Sequence, residues 1–139
     1  MYIVKIVMKA LIIFSLIFNI NNLFSNQEYL INKGDIWVLD SRSNRLSSDS
    51  KVLYYMPNDA YNTLHARTFG NWDIFSVVDS RDLQRLNKGD SIKILESKYS
   101  DRVYKVKLLS GFNKNKKFYV IAEDLKSYFK LLNEEKINE

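Results

Sequence analysis

Residues 102–108, Arg-Val-Tyr-Lys-Val-Lys-Leu, show the most regular pattern in the chain. Tyr104, Val106 and Leu108 alternate here with two lysines. Because successive side chains of a β-strand point to opposite faces, this alternation is typical of a half-buried strand. It predicts a strand whose apolar face packs on a core and whose lysines share the other face.

The residues after this strand predict a hairpin and then a short helix. A polar loop with one glycine spans residues 111–117, and residues 118–122 are typical of a returning strand. Between residues 123 and 132, large apolar side chains recur every three or four positions, as in a helical stripe. The members of this stripe are Leu125, Tyr128, Phe129 and Leu132. The polar residues 133–139 are expected to form a frayed tail.

A short motif occurs twice, and each copy leads into an apolar run. Asn-Lys-Gly-Asp stands at residues 32–35 and again at residues 87–90. The following residues 36–42 resemble residues 92–98 when Ser91 is treated as a one-residue insertion. Gly-Asp is typical of a turn, and the run after it is typical of a strand. The repetition indicates either an ancestral duplication or a single sheet that uses the same turn twice.

Short strands separated by turns predict a mainly β protein, either a small barrel or a sandwich. The chain has 139 residues and no cysteine. The lack of cysteine excludes a disulfide framework, a thiol nucleophile and a thiolate metal site. The core must therefore stabilise the fold by itself, and aromatic residues, 14% of the chain, can supply that core.

The N-terminal residues 1–25 are predicted to form a secretory signal peptide. Lysines flank the start of an uncharged apolar run at residues 10–18, and the small residue Ser25 follows it. A positive start, a short apolar run and a small residue at the cleavage point are typical of such peptides. We expect cleavage near Ser25–Asn26, and the alternative is an uncleaved anchor. The protein is therefore predicted to be exported, periplasmic or secreted, and to contact the membrane only during export.

The chain lacks the common motifs of catalysis and metal binding, so we expect no enzymatic activity, metal or cofactor. His65 is the only histidine, and no Gly-x-Ser-x-Gly motif is present. We interpret His65 as an ordinary loop or edge-strand residue. Loss of Lys5 and Lys9 with the signal peptide would lower the net charge from +5 to +3. This mildly basic charge, together with export, argues against nucleic acid as a partner. Lys114, Lys116 and Lys117 form a basic loop next to Phe118 and Tyr119, which could contact nucleic acid or anionic polymers. We interpret the loop instead as a solvated hairpin tip.

Three segments in the second half of the chain follow one another in a recognisable order. A Lys-Gly-Asp turn leads into an alternating strand at residues 88–95, and the strand of residues 104–108 comes next. A strand ending in Tyr119-Val120 then leads into a short turn at Asp124-Leu125. This order resembles the bacterial SH3 (SH3b-like) family over residues 86–128.

A weaker copy of the same pattern spans residues 33–86. The chain departs from the family at Val103, where members often have Trp, and at Phe118-Tyr119, where they often have Gly-Trp. The resemblance implies a mainly β fold of one or two small SH3-like barrels. The first unit would comprise residues 26–86, and the second, residues 87–132, would include the short C-terminal helix.

Members of this family are typically noncatalytic modules that bind cell-wall peptides, glycans or protein partners. The resemblance therefore implies a binding module whose partner is a cell-wall polymer, an extended peptide or an envelope protein. Aromatic side chains on such barrels can form a groove for an extended ligand. The candidate ligand-binding residues are Tyr55, Trp72, Tyr99, Tyr104 and Tyr119.

Two other functions remain open at this point. The first is a structural or interaction subunit of an envelope complex, in which the apolar stripe of the C-terminal helix docks a partner. The second is a small secreted enzyme or toxin that uses His65.

Overall fold

The computed structural model describes three stretches of the chain, residues 1–9, 30–70 and 83–132. The chain divides into two compact units, Met1–Leu30 and Ile31–Glu139. Every strand of the described stretches lies in the second unit, which is the part that positions the candidate site.

Several sequence predictions concern residues outside the described stretches. They are the apolar run at 10–18, the cleavage point at Ser25–Asn26, Trp72 and the tail at 133–139. The start of the predicted signal peptide is described, and residues 2–9 are helical. None of the helices in the described stretches is long and apolar enough to span a bilayer.

Short strands and two helices make up the described part of the second unit. In chain order they are β1 (Ile36–Leu39), β2 (Val52–Tyr54), α1 (Pro57–Phe69), β3 (Leu83–Arg85), β4 (Ser91–Lys98), β5 (Val103–Leu108), β6 (Lys117–Ile121), α2 (Ala122–Tyr128) and β7 (Phe129–Leu131). The strands pair antiparallel in one sheet, in the order β3-β2-β6-β5-β4-β1-β7. Among the described strands the two end strands are not paired with each other, so the sheet is open. The prediction of a mainly β fold is confirmed.

Strands from both predicted SH3-like units belong to this one sheet. β1 lies within residues 26–86, and it pairs with β4 and β7, which lie within residues 87–132. A single sheet therefore uses both Asn-Lys-Gly-Asp turns.

The two Asn-Lys-Gly-Asp turns have the same backbone structure and make equivalent contacts. Gly34 and Gly89 both have a φ of +95°, a conformation that side chains disfavour. The N–H of Gly34 donates to the carbonyl of Ile94 at 2.8 Å. The N–H of Gly89 donates to the carbonyl of Leu39, also at 2.8 Å. Each turn thus contacts the strand that follows the other turn. A local two-fold axis relates the first turn and β1 to the second turn and β4.

This two-fold relation needs no insertion, so the prediction that Ser91 is an extra residue is wrong. Trp37 lies opposite Ile92 at the centre of the β1–β4 pair, and their exposures are 2% and 0%. Ile36 and Ser91 follow the two turns directly, and both are half-buried. The pleat of a strand decides which side chains enter the core. Trp37 and Ile92 are therefore structurally equivalent because both are buried, although their residue types differ.

The main core lies on one face of the sheet. Tyr104, Val106 and Leu108 of β5 are buried in it, which confirms the face predicted from their alternation. Phe118 and Val120 of β6 lie beside them, also buried. This core joins the central strands to β1 and α2.

A smaller cluster, here termed the α1 cluster, lies on the opposite face. Its buried members are Tyr54, Ala60, Leu64, Val103 and Ile121. Val103 and Ile121 are adjacent in sequence to main-core residues of β5 and β6, so they point to the other face. The helix α1 therefore covers the outer face of the sheet where β5 begins and β6 ends.

The C-terminal stripe is folded into the core and ends earlier than predicted. The helix α2 ends at Tyr128, and the next residues form β7, in which Phe129 lies opposite Leu39. The expected helix through Leu132 is therefore wrong in its last turn, because pairing with β1 provides hydrogen bonds for the backbone of β7. Leu125 and Phe129 are 0% and 6% exposed, so they are not a surface for a partner.

Candidate functional site

One side of α1 carries three rings in succession. Tyr61, His65 and Phe69 are spaced four residues apart, so they share one face of the helix. The ring centroids of Tyr61 and His65 are 6.3 Å apart, and those of His65 and Phe69 are 4.4 Å apart. Tyr99, in the turn between β4 and β5, stacks on Tyr61 at 4.4 Å with an interplanar angle of 21°. These four residues are termed the aromatic row.

The turn that presents Tyr99 has an unfavourable backbone conformation. Tyr99, Ser100 and Asp101 have φ angles of 52°, 54° and 64°. The left-handed region costs an L-residue other than glycine roughly 1–2 kcal/mol. Such strain persists only where the surrounding structure holds it, and it is concentrated at functional sites. The turn is therefore a candidate functional feature.

Side-chain hydrogen bonds hold this turn against its neighbours. The hydroxyl of Tyr99 donates to Oδ1 of Asn58, which lies in the first turn of α1. The hydroxyl of Ser97, in β4, donates to the carboxylate of Asp101. Both bonds tie the ring-bearing turn to regular elements, so the position of the Tyr99 ring is set before any ligand arrives.

A groove of about 410 Å³ lies beside the aromatic row. The row residues of α1, together with Leu64, form its apolar wall, and Asp101, Arg102 and Glu123 form its polar wall. The N–H of Ala122 donates to the carbonyl of Arg102 at 2.9 Å, which ties the polar wall to α2. The volume lies within the range of small-ligand sites.

An ion pair joins the two helices that border the groove. Arg67 Nη1 of α1 lies 2.7 Å from Asp124 Oδ1 in the first turn of α2. The side chain of Asp124 is only 15% exposed and that of Arg67 is 39% exposed, so the pair is partly shielded from water. It holds α1 and α2 in their relative positions.

His65 and the side chains around it determine what the groove can bind. His65 lies in α1, so its interpretation as a loop or edge-strand residue is wrong. Thr68 also lines the groove, and its hydroxyl donates to the carbonyl of Leu64 at 2.9 Å. Within the described stretches, no group of three His, Cys, Asp or Glu side chains could hold a metal ion. The lining provides ring faces, two carboxylates and a guanidinium.

The predicted ligand-binding residues do not come together in one place. Tyr99 belongs to the aromatic row, whereas Tyr104 is 6% exposed and belongs to the main core. Tyr119 is partly buried against the α1 cluster, and Tyr55 is 42% exposed. Trp72 lies outside the described residues. Of the described candidates, only Tyr99 takes part in the site.

The sequence interpretation missed α1 and, with it, Tyr61 and Phe69. Two signals for the helix are present, because Pro57 stands at its start and Gly70, with φ of 67°, follows its end. The fully buried positions of the helix include the small residues Ala60 and Ala66, whereas Tyr61 and His65 are only half-buried and Phe69 is exposed. The helix therefore lacks the apolar stripe by which amphipathic helices are recognised.

No protein-family model, curated protein or solved structure matches the chain. A functional conclusion therefore depends on the aromatic row, the strained turn and the groove.

Proposed function

We propose that this protein is an exported, noncatalytic binding module whose groove beside α1 takes an extended ligand. The ligand is cell-wall material or an extended peptide segment of an envelope protein. The observation that carries the proposal is the stack of Tyr61 on Tyr99, held by a turn of three consecutive left-handed residues. A preformed ring pair favours binding, because its side chains do not lose further conformational freedom when the ligand arrives.

The shape of the aromatic row suits an extended ligand. From Tyr61 to Phe69 the helix rises about 12 Å, so the rings form a line and not a single pocket. Rings present flat apolar faces for contact, and the opposite wall presents Asp101, Arg102 and Glu123 for hydrogen bonds. A linear ligand with alternating apolar and polar groups would contact both walls.

The SH3-like resemblance belongs to the same proposal. The segments that carry it follow one another as adjacent antiparallel strands, β4, β5 and β6, and β6 leads directly into α2 with Asp124 and Leu125. The shared sheet with β1 and β7 favours one SH3-like unit over two, with residues 40–90 as a long insertion between β1 and β4. This insertion supplies α1 and most of the aromatic row.

The two other functions have less support. A partner-docking role for the C-terminal stripe conflicts with the burial of Leu125 and Phe129 in the main core. An enzymatic role for His65 has less support, because the nearby hydroxyl of Thr68 donates to the backbone carbonyl of Leu64 and not to the imidazole.

Retention on purified peptidoglycan tests the proposal. The full chain, kept soluble in neutral detergent, is mixed with peptidoglycan from which anionic polymers have been removed, and separately with an array of extended peptides. Replacing Tyr99 or Phe69 with Ala should weaken retention about tenfold, since each removes a ring of the row. The matched control is Phe112→Ala, because Phe112 is 91% exposed and lies in the loop between β5 and β6.

The expected outcome is loss of binding in the row variants and unchanged binding in the control variant, with unchanged circular dichroism in all three. Equal binding by wild type and by a Tyr61→Ala, Tyr99→Ala double variant would contradict the proposal. The proposal would also be contradicted if the wild type bound neither the peptidoglycan nor any peptide of the array.

A further inference from the structure

Three lysines face one another across the central strands. Lys93 of β4 lies opposite Lys107 of β5, and Lys107 lies opposite Lys117 of β6. Their neighbours along each strand are buried in the main core, so all three point to the outer face of the sheet. These residues are termed the lysine ladder.

The ladder carries positive charge that its surroundings do not neutralise. The salt bridges among the described residues do not include a ladder lysine. Glu96, an acidic residue of β4, instead pairs with Lys98 at 2.8 Å. Like charges directly opposite one another destabilise a sheet. The fold therefore keeps an unfavourable arrangement that an anionic ligand would relieve.

The basic surface continues into the loop that joins β5 to β6. Lys114 and Lys116 are exposed there, next to the ladder end of the hairpin. The N–H of Asn115 donates to the carbonyl of Leu108 at 2.7 Å, and the N–H of Leu108 donates to the carbonyl of Lys116 at 3.0 Å. These bonds hold the loop backbone, so its lysines stay close to the ladder.

We propose that the lysine ladder binds a linear polyanion, a polymer whose phosphate or carboxylate groups repeat at short intervals. Neighbouring strands lie about 4.8 Å apart, so the three lysines define a straight track of about 10 Å across the sheet. Charges in a line match a linear polymer better than a bilayer surface, which spreads its charge in two dimensions. Binding replaces repulsion between lysines with attraction and releases condensed counterions. This surface is separate from the groove and does not depend on its function.

Titration with two soluble polymers tests the ladder and distinguishes the source of the charge. The full chain in neutral detergent is titrated with inorganic polyphosphate and with polyglutamate at about 50 mM salt, where electrostatic binding is strong. The triple variant Lys93→Gln, Lys107→Gln, Lys117→Gln should bind at least one polymer about tenfold more weakly than wild type. Preference for polyphosphate or for polyglutamate identifies phosphate or carboxylate as the recognised group.

A second triple variant of equal net charge separates the ladder from overall basicity. Lys33, Lys88 and Lys126 are exposed and lie outside the strands, so their replacement with Gln removes the same charge elsewhere. This control should weaken binding by less than about twofold, because the charges that remain in line dominate the local potential.

Two further measurements exclude misfolding and a shared site. The ladder variant should melt at or above the wild-type temperature, since it removes like-charge repulsion. If the triple variant unfolds, the single change Lys107→Gln replaces it and should weaken polymer binding about threefold. Tyr99→Ala, which alters the groove, should leave polymer binding unchanged.

Equal weakening in both triple variants would overturn the proposal, and so would the absence of wild-type binding to both polymers. Tighter binding to anionic phospholipid vesicles than to either polymer would also overturn it.

Discussion

Tyr61 and Tyr99 stack with their ring centroids 4.4 Å apart, although they come from a helix and from a hairpin turn. Tyr99 is 37% exposed, so the stack is accessible from solvent. The stack therefore ties α1, which forms the apolar wall of the groove, to the β4–β5 turn, whose Asp101 lies in the opposite wall. The backbone of the turn is strained in this arrangement, and the strain can be measured as a change in stability.

Replacing Ser100 with Gly should stabilise the protein by about 0.5–1 kcal/mol. Ser100 has a φ of 54°, which glycine adopts without steric cost. The matched control is Ser127→Gly in α2, which should destabilise by about 0.5–1 kcal/mol, because glycine in a helix loses more backbone entropy. Urea denaturation measures both changes. Destabilisation by Ser100→Gly would show that the turn is not strained.

Leu125 and Leu132 should differ strongly in their contribution to stability, although both belong to the same sequence stripe. Leu125 is 0% exposed in the main core, so its replacement with Ala should cost about 2–5 kcal/mol. Leu132 is 39% exposed and lies beyond β7, so Leu132→Ala should cost less than about 1 kcal/mol. Thermal and urea denaturation give both values. Similar costs for the two changes would favour a continuous helix instead of the observed break.

Gly34→Ala and Gly89→Ala should destabilise the protein by similar amounts, about 1–2 kcal/mol each. An added Cβ meets no atom within 4 Å at either position, so the cost comes from the φ of +95° alone. Equal costs would support the two-fold relation between the turns. A difference larger than about 1 kcal/mol, measured by urea denaturation, would contradict it.

Stability should decrease above pH 10, and Tyr54 should contribute to the decrease. Burial raises the pKa of the Tyr54 phenol, so the folded state keeps this proton to a higher pH than the unfolded state, whose tyrosines titrate near pH 10. Above about pH 10 the folded state binds more protons, and the free energy of unfolding falls as pH rises. The contribution of Tyr54 is therefore complete below about pH 10 and is lost as pH approaches the folded-state pKa.

Tyr54→Phe removes this linkage, so its free energy of unfolding should fall less steeply between about pH 9 and pH 11. Some slope should remain, because burial and then the charge of Asp101 also raise the pKa of Tyr104. Urea denaturation across this pH range checks the prediction, and Tyr2→Phe, at an 82% exposed position, is the control. Identical slopes for wild type and Tyr54→Phe would contradict it.

The hairpin of β5 and β6 and its inward face could be predicted because they depend on consecutive residues. Tyr104, Val106 and Leu108 alternate with lysines, and the pleat of a strand converts that alternation directly into two faces. The turns at Gly34 and Gly89 were recognisable for the same reason, since a positive φ is a local requirement met by glycine. Local periodicity and local steric requirements depend only on neighbouring residues, so both can be recognised in the sequence.

The stacking of Tyr61 on Tyr99 and the alignment of Lys93 with Lys107 and Lys117 depend on tertiary structure alone. A periodic pattern reports which face a side chain occupies, but it contains no information on which strand becomes the neighbour or in what register. The stripe that ends at Leu132 shows the same limit, because pairing of β7 with β1 replaced the last helical turn. The free energy of long-range contacts decided these features, and those contacts form only when the whole sheet assembles.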